Sequence, residues 1–142
     1  MISVNGIKRL FYTAIQCTWG GIQTCLGLFL FLYWANASHE IYRGAVYTKW
    51  KLDGGISLGL FIFTPDSEEP WCRDMAVHEY GHTWQSLMLG PLYLFVVGLP
   101  SIVWARSGSC IRMRRERNIP YSAFYTERWA DSLGAKMITV ME

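Results

Sequence analysis

The sequence predicts an α+β fold attached to a membrane, on three observations. A 28-residue stretch without charge runs from Leu10 to Ala37; two β-rich runs, Arg43 to Leu52 and Ile56 to Thr64, follow it; and the remainder reads as helices opening near Pro70 and Pro120. The 142 residues are 51% apolar and 15% aromatic, with only 17% charged, a charge content low for a soluble protein. Residues 1–37 are read as an N-terminal membrane anchor and residues 38–142 as one folded domain that contains a membrane-associated apolar segment, 87–105.

Each element has its own reason. About twenty helical residues cross the hydrocarbon core, so the uncharged stretch Leu10 to Ala37, with Leu26 to Trp34 its most hydrophobic run, is long enough for a transmembrane helix, with Tyr12, Trp19, Tyr33 and Trp34 as interfacial aromatics. Lys8, Arg9 and the Ala35-Asn36-Ala37 triplet also fit a cleavable export signal, but the uncharged stretch is too long for a usual signal core. Val46, Tyr47, Trp50, Ile56, Leu58 and Ile62 give the two runs β character, and Asp53-Gly54-Gly55 between them predicts a β-hairpin turn. Leu52-Asp53-Gly54 is read as part of that turn. After the polar loop Pro65 to Pro70, a helix is expected over Trp71 to Met88, with Pro70 suited to its start. Gly81 inside it costs about 1 kcal/mol relative to Ala, which close approach by another helix would explain. Gly90-Pro91 and Gly98-Leu99-Pro100 break the apolar segment into short pieces, so it is read as a re-entrant or interfacial apolar hairpin. Arg106, Arg112, Arg114, Arg115 and Arg117 form a basic loop, and a C-terminal helix follows over about Ser122 to Met141, with Trp129, Leu133, Met137 and Val140 as its apolar stripe.

The chemistry is concentrated in His78-Glu79-Tyr80-Gly81-His82. On a helix, residues at i and i+4 share a face, so both imidazoles can ligate one zinc ion, and Glu79 is placed to deprotonate a zinc-activated water. Of the three histidines only His39 remains, and it lies upstream; Gln85 and Met88 stand where an extended HExxHxxGxxH pattern would have Gly and His. A carboxylate must complete the site. Glu116, Glu127, Asp131 and Glu142 are the downstream candidates, and Glu127 and Asp131 stand out because they are again i and i+4. One can bind the metal while the other accepts a hydrogen bond from a ligand imidazole.

HEYGH followed some forty residues later by Glu127-Arg128-Trp129-Ala130-Asp131 resembles the HExxH and ExxAD pair of the gluzincin metalloproteases, in a minimal form of the family that includes the CAAX prenyl endopeptidases and the heat-shock membrane proteases. The resemblance covers Asp74 to Met141. It implies a zincin-like domain in which His78, His82 and Glu127 hold Zn2+, Glu79 is the general base and Asp131 orients a ligand histidine. It also suggests that the Ile56 to Thr64 strand lines the cleft and pairs with an extended substrate, with a core hairpin as the alternative reading of that run. Tyr121, Tyr125 and Tyr93 are the candidate oxyanion donors.

The expected activity is that of a membrane-associated zinc metallopeptidase, with a peptide or protein substrate and membrane lipid as partners. The alternative is a non-catalytic small membrane protein with a structural zinc site; Glu79 argues against it, because a structural site needs no general base. Nucleic acid is excluded as a partner, since net charge is only +2 and the arginines are not interleaved with aromatics. Cys17, Cys25, Cys72 and Cys110 have no C-x-x-C spacing and form no zinc ribbon. Basic loops favour the cytoplasm; the arginine loop leans the catalytic side that way, but Lys8 and Arg9 pull the other end of the first helix the same way, so the two signals conflict. Oligomeric state is not legible.

Overall fold

The computed structural model describes residues 4–142 and is α+β, with six α-helices and a mixed four-stranded sheet. Helices α1 (Val4–Thr18) and α2 (Gly21–Tyr33) lead into strands β1 (Ser38–Tyr42), β2 (Ala45–Trp50), β3 (Ile56–Leu58) and β4 (Phe61–Pro65). Helices α3 (Pro70–Leu89), α4 (Leu99–Arg106), α5 (Gly108–Glu116) and α6 (Tyr125–Val140) complete the chain, with a 3-10 turn at Gly90–Leu92 and a π-helical turn at Leu94–Gly98 between α3 and α4.

The strand order is β1-β2-β4-β3, with β2 parallel to β4 and the other two pairings antiparallel. The hairpin expected across Asp53-Gly54-Gly55 is therefore not formed. Ile56 to Thr64 is instead two strands turned at Gly59, whose φ is +59°, the sense a two-residue hairpin loop needs. All five residues of β4 are buried, and a strand shielded on both faces belongs in the interior of a sheet, so β4 inserts between β2 and β3. The other hairpin, β1 to β2, turns on Arg43 and Gly44 with φ of 52° and 100°, the type I′ signature.

Helices cover both faces of the sheet. On one, Phe31 of α2 packs on Phe61 and Trp34 on Trp50, with ring centroids 5.5 and 6.2 Å apart. On the other, Tyr42 meets Tyr80 of α3 edge-on at 5.6 Å. Tyr12 of α1 joins the same core against Tyr80 and Trp84.

The single helix expected through Leu10 to Ala37 is two helices bent by 95° at Trp19-Gly20. Among the described residues no single helix is long and apolar enough to cross a membrane. The bend is fastened by buried polar groups. Thr24 Oγ1 donates to the Gln16 carbonyl, Gln16 Nε2 to the Thr83 carbonyl, and Gln23 Nε2 to Ser86 Oγ and the Gly90 carbonyl, at 2.6–2.9 Å. These amides tie α1 and α2 to α3, so the N-terminal segment contributes to the domain core. The apolar segment after α3 turns back by 120°. That turn falls within residues 90–93, where Gly90 has a φ of +53°, whereas Gly98-Leu99-Pro100 lies inside a continuous run from the π turn into α4. The basic loop is helical, as α5.

Candidate metal centre

Two glycines decide how the two halves of the site meet. A Cβ on Gly81 of α3 would lie 1.9 Å from the Ala130 carbonyl oxygen, and one on Gly134 of α6 would lie 2.2 Å from the Val77 carbonyl oxygen. The helices touch backbone to backbone at both points, which accounts for Gly81. The buried face of α6 is Thr126, Glu127, Ala130 and Gly134. Trp129 and Leu133 are only half-buried and Val140 is 43% exposed, so the stripe expected from the sequence is not the packing seam. Small residues form it, and they let Glu127 reach α3.

There His78, His82 and Glu127 converge, with one ligand atom from each lying within 4.8 Å of the others. Glu127 Oε2 is 3.0 Å from His78 Nε2 and 3.4 Å from His82 Nε2. Donors around a tetrahedral zinc at about 2.05 Å stand about 3.3 Å apart, so these two separations suit a small divalent ion, and the remaining histidine pair lies within 4.8 Å. The outer nitrogens fix the tautomers. His78 Nδ1 is 2.6 Å from Asp131 Oδ1 and His82 Nδ1 is 2.6 Å from Gln85 Oε1. With Nδ1 donating, each Nε2 faces the site and, once the proton it shares with Glu127 is displaced, would offer its lone pair to a metal. Gln85 is oriented in turn by donating to the Thr126 carbonyl at 2.8 Å, and Thr126 Oγ1 donates to Glu127 Oε1 at 3.0 Å. The group can bind a metal ion.

The electrostatics favour a cation at this point. Burial works to lower the His78 imidazole, but Glu127, Glu79 and Asp131 overcome it and hold it at about 9. Burial works to raise Glu127, and the hydrogen bonds from His78 and His82 reverse this, holding it well below the usual carboxylate range. His78 thus carries a proton at neutral pH where the metal would sit, and metal uptake displaces it. The apparent zinc affinity is expected to rise roughly tenfold per pH unit through neutrality and to level off near the His78 value of about 9. Calorimetry in buffers of different ionisation enthalpy would read the release directly as about one proton per ion. In the metal-free protein the sign is opposite: the raised His78 contributes stability that is present below its unfolded value and is lost as pH rises through about 9.

Glu79 is 6% exposed. Ser57 Oγ lies 2.9 Å from its Oε2 and 2.6 Å from its carbonyl oxygen. A Cβ on Gly55 would fall 2.5 Å from Glu79 Oε1, so the approach to β3 is shaped around this carboxylate. Burial raises the Glu79 carboxyl above its ordinary value, against the opposing pull of His82, His78 and Ser57.

A cleft of about 710 Å³ opens over these groups, walled by Ile56, Ser57 and Leu58 of β3 on one side and by Leu94, Leu99 and Ile102 on the other. Strand β3 is a sheet edge and, among the described residues, pairs only with β4. Tyr93 and Tyr121 line the cleft. Tyr93 donates to the Ser57 carbonyl at 3.3 Å, while burial and the nearby Glu127 and Glu79 carboxylates raise the Tyr121 phenol well above its ordinary value. Tyr125 turns elsewhere and donates to the Val96 carbonyl at 2.6 Å. His39 stays in β1, against Phe31 and within 2.9 Å of Thr48 Oγ1. All four cysteines are free.

Sequence reasoning missed Gln85 and Ser57. Gln85 had a signal, because it is three residues after His82 and so faces it on the helix; Ser57 had none. Gln85→Leu would leave His82 Nδ1 without its partner. It is expected to lower zinc affinity by about 10–100-fold, as measured by competition with a chromogenic chelator.

No protein-family model matches the chain, and comparison with curated proteins and with solved structures finds no significant match.

Proposed function

We propose that the protein is a membrane-associated zinc metallopeptidase of gluzincin type. The observation that carries this reading is Glu79, a buried carboxylate held by Ser57 beside two histidines and a third acidic donor, on the wall of an open cleft. A site that only braces the fold needs its ligands and has no use for Glu79.

His78, His82 and Glu127 would hold the ion. Zinc held by two neutral imidazoles and one carboxylate supplies Lewis acidity, polarising a scissile carbonyl and lowering the pKa of water to about 7. The residues of the chain do the rest. Glu79, made more basic by burial, takes the proton of the attacking water and returns it to the leaving amide nitrogen. The free edge of β3 pairs with an extended peptide backbone, and Ile56, Leu58, Leu94 and Leu99 favour apolar side chains beside the scissile bond. Tyr93 and Tyr121 line the cleft and are the candidate donors to the developing oxyanion, the first now donating to the Ser57 carbonyl and the second to the Glu127 carboxylate, while Tyr125 lies away from the cleft. The experiment is hydrolysis of quenched peptides with apolar residues around the cleavage position, wild type against Glu79→Gln. Cleavage by zinc-loaded wild type alone supports the reading; no cleavage by a zinc-loaded protein contradicts it.

A further inference from the structure

The outer surface of the segment between α3 and α5 is apolar and uncovered. Leu92, Phe95, Leu99, Ile102 and Val103 are 48–73% exposed, far more than scattered surface hydrophobics require. The surface continues onto α2. Trp19, at the α1–α2 bend, packs against Gly90, where a Cβ would lie 2.2 Å from its indole. Beyond it Ile22, Leu26, Phe29 and Tyr33 are 49–77% exposed at i, i+4, i+7 and i+11, one stripe of the helix.

One flank of this surface is basic. No Asp, Glu, Lys or Arg occurs from Tyr80 to Ala105, and Arg106, Arg112, Arg114, Arg115 and Arg117 then follow with a single acid, Glu116. Arg114 is turned inward, with its guanidinium 5.0 and 5.1 Å from the Trp104 and Tyr121 rings. Arg106, Arg112, Arg115 and Arg117 are exposed, and among the described residues none of them is in an ion pair.

We infer that this face docks in the plane of an anionic bilayer, with Leu92, Phe95 and Val103 and the α2 stripe in the acyl region of one leaflet and the α5 arginines on lipid phosphates. Length argues for lying in the leaflet. The 13 residues of α2 extend about 20 Å at 1.5 Å each, short of the roughly 30 Å core, whereas an apolar face with a basic flank suits the interface. Charge argues against a second copy as the cover, because self-pairing about a two-fold axis presents the same patch from both subunits and would bring the two arginine flanks together. Leu94, Leu99 and Ile102 also line the cleft, so its mouth lies at the membrane surface. The inference deepens the membrane placement of the proposed peptidase and does not depend on zinc or on hydrolysis.

Flotation with vesicles of phosphatidylcholine, alone or with phosphatidylglycerol, tests it after dilution out of detergent. Binding is expected to be strongest with the anionic lipid and to weaken with salt. Arg112→Gln/Arg115→Gln/Arg117→Gln should remove the anionic preference, a loss of about fivefold per arginine and about a hundredfold together. Leu92→Asp/Phe95→Asp, both exposed and outside the cleft, should abolish flotation while far-UV circular dichroism and metal content match wild type. Equal binding to both vesicle types, or flotation indifferent to the aspartates, overturns the proposal. So does a lipid-free dimer that does not float. Glu79→Gln should float like wild type, which separates failure here from failure of the peptidase reading.

Discussion

Glu79→Gln is expected to abolish turnover and leave zinc bound. Glutamine keeps the shape of the side chain and a hydrogen-bond acceptor for Ser57 Oγ, which lies 2.9 Å from Glu79 Oε2, but it cannot take a proton from water. General-base catalysis contributes about 10²–10⁴-fold, so the rate should fall by at least about two orders of magnitude with metal content unchanged. The result is informative because removing the charge also relieves the burial that raises this carboxyl, so the variant should be at least as stable as wild type. A rate loss accompanied by unfolding or zinc loss would instead assign Glu79 a structural role.

Gly81→Ala is expected to be among the most destabilising single substitutions in the chain. The added methyl would lie 1.9 Å from the Ala130 carbonyl oxygen and 2.6 Å from its carbon, and a backbone group cannot rotate away. Helices α3 and α6 must separate. Overpacking of this kind costs about 2–4 kcal/mol, against about 1 kcal/mol that alanine gains in helix propensity. On the net of about 1–3 kcal/mol, thermal unfolding should fall by roughly 3–10 °C. Zinc affinity should fall with it, since Glu127 is carried on α6 and His78 on α3, 3.0 Å apart at their facing atoms. An alanine variant as stable as wild type would mean that the helices are not in backbone contact.

The site was more legible in the sequence than the sheet. His78 and His82 are four residues apart on one helix, and Glu127 and Asp131 on another, so local periodicity alone orients each pair. Gly81 also announced a close neighbour, which proved to be α6. The β-sheet failed to read because strand partners are set by burial across the molecule. Asp53-Gly54-Gly55 has the chemistry of a hairpin turn, yet the fully buried β4 competes for the central position and takes β2 as a parallel partner. The expected membrane helix broke for a related reason. Hydropathy treats Leu10 to Ala37 as one uniform stretch, whereas Gly20, Gln16 and Gln23 bend it and fasten it to Thr83 and Ser86 by specific hydrogen bonds. The packing face of α6 was misread because its seam is built from Ala130 and Gly134, which carry little hydropathic signal.

Elemental analysis of detergent-purified protein tests the central claim most directly, with wild type compared against Glu127→Ala and Glu116→Ala. Glu127 is buried between the two histidines, while Glu116 ends α5 on the surface. About one zinc per chain, lost with Glu127 and kept with Glu116, is the predicted result. Wild type without zinc under metal-replete conditions, or zinc retained by Glu127→Ala, would contradict it.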